Sequence, residues 1–401
     1  MSALRVGVLA ALLAAACHHR RPAPGLPVRP EQPPPSGVVV PPPQPPPEVA
    51  PSPVPATTYR LLATAESADQ VALIAFQPCQ PAEVPPACGA RVARTYDVGR
   101  WPLEIEGPHG IVAAPDGKSF YVSMAHGRPF GRLEKYDVAT GRRLGAVELG
   151  MFPATVDVSP TGAFVYAINF NFEDPEMEPS SLSIVLGDAM TEIARPETCR
   201  MPHGSRLNPQ GTMHYSGCMM NDLLVEVDAR TMAVRRLFNV AAGKEGPVAP
   251  AEASSGMSSV CSPTWAQPSA DGSRVYVACN KSAEIVEVDV ASWSLVKRWK
   301  TPAAPYNLAA TPNGKLLVAT QKGPGTVTIW RLADDTLMAQ ISGTRKIASG
   351  VAVSRDSRFA FVTLEGIGGD PGTIDIVDLK TLQKVASVEI GKQAGGIAVL
   401  P

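Results

Sequence analysis

Two Pro-His-Gly tripeptides carry the side chains best suited to chemistry in this sequence, because they place His109 and His203 in the same local context. A third histidine, His126, lies two residues after Met124. Imidazole and thioether groups can bind copper, and histidines can also face a planar cofactor such as haem. The alternative interpretation is that these places tolerate any residue type. We predict no cofactor, with haem or copper as the alternatives.

The remaining histidines offer less chemistry. His18 and His19 follow the first cysteine of the chain and are expected to face solvent. His214 stands where equivalent strands have Phe120 and Val275, so a hydrogen-bonded structural histidine is expected there. The sequence has no HExxH, GxSxG, phosphate-loop, EF-hand or CxxCH motif and no zinc-ribbon spacing, and no catalytic residue is predicted.

Short strands in a repeating pattern must position these histidines. Alternating apolar residues flank polar turns, as Ile374 and Ile376 do before the turn at 378–381, and this period of two is typical of β-hairpins. Periods near ~40–50 residues with four short strands each are typical of propeller blades. A turn residue recurs here every 42 to 61 residues, at Gly117, Gly162, Gly211, Gly272, Gly314 and Ser357.

The segments Tyr166–Asn169 and Phe361–Leu364 resemble the signature of the YVTN family of β-propeller repeats, and the resemblance covers residues 58–401. It implies an all-β, seven-bladed β-propeller. Related propellers include lactonase-like enzymes and the haem-binding propeller of nitrite reductase. The resemblance therefore implies a shape and leaves the activity open.

The two ends of the repeat region complete each other. Six units account for residues 107–392, and the segments Tyr59–Ala65, Val71–Phe76 and Arg91–Asp97 are predicted as three strands without an innermost partner. Gly396–Val399 resembles an innermost strand without a sheet of its own. Pairing them predicts a seventh blade, closed by the C-terminal strand, with no free sheet edge.

The register of the innermost strands predicts which residues surround the mouth of a central channel. Proline precedes the strand in five copies, and the residue after that place faces the mouth: His109, Ala154, His203, Thr264, Tyr306, Ser349 and Gly395. The predicted ligand-binding residues are His109, His126, His203, Thr264, Trp265, Tyr306 and Ser349. The candidate metal ligands are His109, Met124, His126 and His203.

Charged residues near the channel give two further expectations. The seven mouth positions contain no Asp or Glu, which argues against a calcium-dependent hydrolase, although the acidic segment 173–176 could reach inwards. Asp157 and Arg206 hold equivalent places in adjacent blades. We expect them to meet, because two unpaired charges among small apolar counterparts would be costly.

Long insertions are expected on one face of the propeller, the face that also carries the mouth. They are Met124–Arg132, Asn169–Ser181, Ala241–Ser258 and Glu365–Gly372. Variable insertions on one side of a rigid repeat mark a binding face. The alternative is drift in solvent-exposed loops.

Six of the seven cysteines remain once Cys17 is set aside, an even set suited to disulfides in an exported protein. Cys79 and Cys88 bracket a proline-rich excursion and are predicted to pair. Cys199–Cys218 and Cys261–Cys279 are predicted within two later blades, with Cys218–Cys279 left open as an alternative.

The first 57 residues are predicted to lie outside the propeller. Residues 1–17 have a positive start, an apolar run and small residues before Cys17, which resembles a bacterial lipoprotein signal with Cys17 as the lipidated residue. An ordinary cleaved signal peptide is the alternative. Residues 18–57 hold sixteen prolines, between Pro22 and Pro55, which predicts an extended linker.

These features predict a membrane-tethered, extracytoplasmic propeller that acts as a binding scaffold through its loop-rich face. The expected location is the envelope of a Gram-negative bacterium, as an outer-membrane lipoprotein that is periplasmic or surface-exposed. The expected partner is an unknown envelope protein or a small molecule, and the chain is expected to be a monomer. The net charge of −1 gives no basis for nucleic-acid binding. A lactonase-like hydrolase and a haem- or metal-associated redox propeller are the alternatives.

Overall fold

The computed structural model describes residues 58–79, 88–101, 103–126, 130–172, 179–249 and 259–401. The predicted signal (1–17) and linker (18–57) lie outside these ranges, and so does the acidic segment 173–178. The described residues form thirty β-strands and one short 3-10 turn at Glu66–Ala68. Within them, no helix is both long enough and apolar enough to cross a membrane.

The strands of the first half of the chain begin at Tyr59, close to the predicted start of the folded region. They are β1 (Tyr59–Ala65), β2 (Gln70–Gln77), β3 (Gly89–Asp97), β4 (Pro108–Ala113), β5 (Ser119–Met124), β6 (Arg132–Asp137), β7 (Arg143–Glu148), β8 (Pro153–Val158), β9 (Phe164–Asn169), β10 (Pro179–Leu186), β11 (Thr191–Ala194), β12 (Glu197–Arg200), β13 (Pro202–Leu207), β14 (Met213–Cys218), β15 (Leu223–Asp228) and β16 (Ala233–Asn239).

The strands of the second half continue the same spacing after one short extra strand. They are β17 (Gly246–Val248), β18 (Pro263–Pro268), β19 (Arg274–Cys279), β20 (Glu284–Asp289), β21 (Ser294–Lys300), β22 (Pro305–Ala310), β23 (Leu316–Gln321), β24 (Thr326–Arg331), β25 (Thr336–Ser342), β26 (Ala348–Val353), β27 (Phe359–Leu364), β28 (Thr373–Asp378), β29 (Gln383–Glu389) and β30 (Ala394–Val399).

Hydrogen bonds join these strands into six sheets, which are arranged as in a β-propeller. Four sheets have four strands each, in the orders β3-β2-β1-β30, β4-β5-β6-β7, β22-β23-β24-β25 and β26-β27-β28-β29. One sheet has five strands, because β12 adds to β10 beside β11. The largest has nine strands, from β17 to β21, and consists of two antiparallel runs joined by the parallel pairing of Gly204 with Trp265.

The C-terminal strand β30 completes the sheet of the N-terminal strands, as the sequence predicts. It runs antiparallel to β1, with Val399 opposite Leu61 and Ala394 opposite Ala65. The innermost strands contact one another in a closed cycle that runs through β4, β8, β13, β18, β22, β26, β30 and back to β4. Both ends of the described chain are therefore held in one sheet.

Apolar side chains fill the spaces between neighbouring sheets. In the space beside the closing sheet, Leu61, Ile74 and Phe76 pack against Phe359 and Phe361 of the preceding sheet. Alternate residues of each strand point to opposite sheet faces, so each sheet has apolar residues on both faces and is covered on both sides. This packing fixes the innermost strands around a common axis.

A repeated backbone hydrogen bond closes the inner end of each unit. The residue before the innermost strand has a left-handed backbone, with φ between +49° and +65°, at Gly107, Phe152, Met201, Ser262, Ala304, Ile347 and Gln393. Its carbonyl accepts the N–H of the residue that follows the second strand, at 2.8–3.2 Å. Left-handed backbone is costly for residues other than glycine, above all for the β-branched Ile347, and this hydrogen bond offsets part of that cost.

The antiparallel order places the connections between strands at two ends. We call the end that carries the turns between first and second strands, such as 114–118, the turn end. The other end carries the connections from second to third strands and from one unit to the next, and we call it the mouth end. The four long insertions predicted from the sequence are all connections of the mouth end.

Three disulfides form in the pairing predicted from the sequence: Cys79–Cys88, Cys199–Cys218 and Cys261–Cys279. The last two lie at the mouth end, where each ties the end of a second strand to the segment that precedes the innermost strand. The alternative pairing of Cys218 with Cys279 is not formed.

Candidate functional site

Residues of two concentric rings build the mouth. The first ring consists of the seven positions predicted from the sequence: His109, Ala154, His203, Thr264, Tyr306, Ser349 and Gly395. The second ring consists of the residue that follows each second strand: Glu66, Ala125, Phe170, Met219, Asn280, Lys322 and Glu365. The repeated hydrogen bond of the fold holds every second-ring residue next to the residue that lies two positions before a first-ring residue.

The glycine of each Pro-His-Gly tripeptide is explained by the fold. A Cβ atom on Gly204 would lie 2.3 Å from the carbonyl oxygen of Thr264, and one on Gly110 would lie 2.4 Å from that of Ala154. Close approach of neighbouring innermost strands therefore requires glycine at this place. Only the histidine of each tripeptide is left to serve a ligand.

His203 is buried and makes two hydrogen bonds within the mouth. Its Nδ1 lies 3.0 Å from the carbonyl oxygen of Thr264, so Nδ1 carries the proton, and its Nε2 lies 3.2 Å from the hydroxyl of Tyr306, which donates to it. Burial, together with the smaller effects of His109 and Lys322, lowers the pKa of His203 to about 3 despite the opposing hydrogen bond to Thr264. The ring is therefore neutral at physiological pH.

A cation and two carboxylates surround the mouth, and sequence reasoning missed all three. Lys322 lies 4.3 Å from the centroid of the Tyr306 ring and 3.0 Å from a carboxylate oxygen of Glu365. Burial lowers the pKa of Lys322, but Glu365 and Tyr306 outweigh that effect and raise it. The signal that could have found these residues is their place directly after a second strand.

The third of these residues, Glu66, is paired with one of the predicted site residues. Its Oε1 lies 2.8 Å from Nε2 of His126. Burial raises the pKa of Glu66, but His109 and His126 outweigh that effect and lower it. Glycine is required opposite, because a Cβ on Gly107 would lie 1.9 Å from the His126 ring. His126 is thus held beside the mouth by an acidic partner.

Phenylalanine and methionine side chains cover one side of the mouth. We call this set the phenylalanine–methionine cluster: Phe152, Phe170, Met201, Met151, Phe172, Met219 and Met220, with Ala125 and Ala154. Phe152 lies 5.5 Å from the His109 ring and 5.2 Å from the His126 ring, and Phe170 lies 5.0 Å from the His203 ring. Phe172 and three of the methionines are partly exposed.

Five of the predicted ligand-binding residues line one cavity: His109, His203, Trp265, Tyr306 and Ser349. Thr264 does not, because its side chain is buried and its hydroxyl donates to the carbonyl oxygens of Pro305 and Tyr306. The cavity measures about 40 Å³. It has room for about three water molecules.

The candidate metal ligands do not come together. Met124 is not in a mouth loop, because β5 continues through it and its buried side chain packs in the core beside Tyr136. Among the described residues, no group of three or more His, Cys, Asp and Glu side chains is placed to hold a metal ion. The acidic residues Glu173, Asp174 and Glu176 lie outside the described residues.

Two other expectations about polar residues need correction. His214 is buried as expected, but neither ring nitrogen has a hydrogen-bond partner in the described structure, and the ring stacks on Tyr166. Asp157 and Arg206 attract each other without forming an ion pair. Instead, the Asp157 carboxylate accepts the N–H of Leu207 at 2.7 Å, and the Arg206 guanidinium carbon lies 4.6 Å from the Trp265 ring centroid.

Comparison with known proteins supports the fold and nothing finer. No family model matches the chain, and no curated protein sequence matches it. A solved structure titled "Kuenenia stuttgartiensis Hydrazine Synthase" is similar, with a TM-score of 0.59 and 19% sequence identity over 76% of this chain and 94% of that chain. At this identity the likeness concerns the fold alone. Together with the closed cycle of innermost strands, it shows that the chain folds as a β-propeller.

Proposed function

We propose that the chain is a membrane-tethered, extracytoplasmic β-propeller that binds a partner protein through its mouth end. The observation that carries the proposal is the placement of exposed apolar side chains. Among the described residues, the large exposed ones lie on outermost strands or in mouth-end connections, and the turns of the turn end have none. Those of the mouth end are Trp101, Leu103, Ile105, Phe130, Val260 and Ile367.

The loop between β3 and β4 contributes the largest part of this surface. Leu103 is 97% exposed, and Trp101 and Ile105 are each 60% exposed. Contiguous apolar surface on a folded protein marks an interaction site, and tryptophan is enriched among the interface residues that contribute most to the binding free energy. The phenylalanine–methionine cluster offers further apolar surface at the same end, and methionine side chains adapt easily to a partner.

The small channel favours binding over catalysis. A cavity of about 40 Å³ cannot enclose a substrate of ordinary size, since ligand pockets occupy several hundred Å³. A surface-binding role agrees with this geometry.

We further propose seven blades of the YVTN type. Counting the nine-stranded sheet as two blades supports this number, because its two halves meet only through one parallel residue pair. The hydrogen bond between the residue before the innermost strand and the second ring, which occurs in seven units, also supports it. The chain enters the propeller at Tyr59, at the turn end.

Site-specific photo-crosslinking in cells tests the binding surface. A photoreactive amino acid at position 103 is expected to give a discrete crosslinked protein. The same group at position 355, where exposed Arg355 lies in the turn end, is the matched control and is expected to give none. A discrete product from position 355 alone, or none from either position, would overturn the proposed surface.

Fractionation tests the tether separately. The Cys17→Ala variant is expected to leave the membrane fraction and appear in the soluble extracytoplasmic fraction. A variant that still pellets with membranes after high-salt washing would show that Cys17 is not the anchor. This outcome would not affect the proposed binding surface.

A further inference from the structure

The lining of the cavity below the mouth includes a cationic side chain. Arg206 is the one Asp, Glu, Lys or Arg residue among the residues that line it. Its Nη1 donates to the carbonyl oxygen of Ser205 at 2.9 Å. A guanidinium has five N–H donors, and within the described residues no other hydrogen bond or ion pair of Arg206 is formed. Most of its donors are therefore free for a ligand.

Asp157 does not neutralise this cation by direct contact. Its carboxylate is held by two backbone N–H groups, those of Val158 at 2.9 Å and Leu207 at 2.7 Å, and it is not among the residues that line the cavity. The guanidinium lies instead over the Trp265 ring. This arrangement leaves the positive charge on the cavity side.

Two buried polar groups of the lining have no hydrogen-bond partner in the described structure. Trp265 and Asn307 are each only 5% exposed, and the Trp265 Nε1–H and the Asn307 Oδ1 are both without a partner. A half-turn of the Asn307 amide exchanges its oxygen with its nitrogen, so the amide can also donate. Unpaired buried polar groups are costly. Both atoms belong to residues that line the cavity, but each atom is itself enclosed by protein.

We propose that the cavity binds a small planar oxyanion, of the size of nitrate, formate or bicarbonate, between Arg206, Trp265 and Asn307. The guanidinium matches two oxygens of such an ion, and the Trp265 and Asn307 side chains line the same cavity. The cavity volume of about 40 Å³ fits an ion of about three or four heavy atoms. The site lies below the mouth and is independent of partner binding at the mouth end.

The test titrates sodium nitrate into purified protein whose tryptophan side chains carry a ¹⁵N label at the indole nitrogen. Ionic strength is held constant with sodium gluconate, whose anion is too large for the cavity. The indole N–H resonance of Trp265, assigned by its loss in Trp265→Phe, is expected to shift in a saturable way. The resonances of Trp101, Trp293, Trp299 and Trp330 are expected to stay in place and report that the fold is intact.

Substitutions of single residues test which side chains contribute to nitrate binding. Arg206→Gln removes the charge and is expected to weaken nitrate binding about tenfold or more, as expected for the loss of a charge-assisted hydrogen bond. Asn307→Asp adds a negative charge at nearly constant shape and is expected to abolish the shift. The matched control is Arg235→Gln, an arginine of the same unit that pairs with Glu226 outside the cavity, and it is expected to bind as the parent protein does.

Three outcomes would overturn the proposal. The absence of a Trp265 shift up to high nitrate concentration would mean that the cavity holds water only. Equal shifts at all five tryptophans would indicate a general salt effect. An unchanged affinity in Arg206→Gln, with the four other resonances in place, would show that the guanidinium is not part of the site.

Discussion

The backbone conformation repeats from unit to unit at both the turn end and the mouth end of the propeller. The residue types at the repeated positions differ between the two ends. At the turn end, the left-handed position between first and second strands is glycine in five of six similar turns, and Ser357 is the exception. At the mouth end, the left-handed position before the innermost strand is glycine only at Gly107. The second ring beyond it contains seven residues of six different types.

This difference indicates where the chain is free to specialise. At the turn end, a tight turn selects glycine and leaves no side chain to vary. At the mouth end, a backbone hydrogen bond stabilises the same left-handed geometry for phenylalanine, methionine or isoleucine, so side chains can change while the scaffold stays constant. Function is expected where the repeated backbone does not dictate the residue type.

The comparison depends on a closed ring, and the largest expected effect comes from opening it. Deleting residues 393–401 removes β30 and exposes the edge of β1. Burial of Ile397 and Leu400 alone contributes several kcal/mol, at about 1.5–3 kcal/mol for each side chain. We expect a strong fall in Tm and aggregation, measured by calorimetry and light scattering.

Removing only the exposed Pro401 is the control for that deletion and is expected to change little. A 393–401 deletion that melts at the parent temperature would contradict the closure of the ring by β30.

Removing one disulfide at each end compares how much the bridges of the two ends contribute to stability. Replacing Cys261 and Cys279 with alanine at the mouth end is expected to destabilise by about 3 kcal/mol, the loss typical of a loop of this length. Replacing Cys79 and Cys88 at the turn end is expected to cost less. The loop is half as long, which accounts for about 0.6 kcal/mol, and Cys79 is exposed whereas Cys261 and Cys279 are buried.

Denaturant unfolding of the two double variants measures this difference. If both double variants lose the same free energy of unfolding, or if the turn-end variant loses more, the mouth-end bridge Cys261–Cys279 does not stabilise the protein more than the turn-end bridge does.

Two buried histidines form a second matched pair across the ends. His203, at the mouth end, has Thr264 and Tyr306 as partners, whereas His214, near the turn end, has none. We expect His203→Phe to destabilise by about 1–3 kcal/mol, because it leaves buried polar groups unpaired. We expect His214→Phe to stabilise by about 1–2 kcal/mol, because the equivalent strand accommodates Phe120 and no hydrogen bond is lost.

The pH dependence of unfolding sharpens this test. Burial lowers the pKa of both histidines to about 3 from the ordinary 6.5. The unfolded chain therefore binds more protons below pH 6.5, so stability is greatest above that pH and falls as the pH falls towards 3. His214→Phe is expected to reduce the loss of stability at low pH. If the free energy of unfolding of the variant depends on pH as that of the parent protein does, His214 is not buried as a neutral ring.

The smallest expected effect is the coupling between Asp157 and Arg206. Since the two attract each other without an ion pair, we expect a coupling free energy below about 1 kcal/mol in the cycle of Asp157→Ala and Arg206→Ala. Chemical denaturation of the four proteins measures it. A coupling of about 3 kcal/mol would indicate a direct buried ion pair, and Arg206 would then be less free to bind an anion.

The sequence by itself determined the all-β fold, the closing strand and the first ring of the mouth, whereas the choice between the predicted disulfide pairs and the alternative Cys218–Cys279 was left to the structure. These follow from local rules, because apolar alternation defines strands, glycine and proline define turns, and the spacing of equivalent turns defines the repeat. The location of His109, His203 and Tyr306 on one cavity follows from the same register.

Tertiary structure alone decided which side chains meet across units. Glu66 meets His126 from about sixty residues away, Lys322 lies over Tyr306, and Arg206 turns towards Trp265 rather than Asp157. Register along a strand says which way a residue faces, but rotamers and the exact approach of neighbouring strands decide its contacts. That is why the expected contact between Asp157 and Arg206 is not formed and why the second ring was not predicted, whereas the all-β propeller fold was predicted correctly.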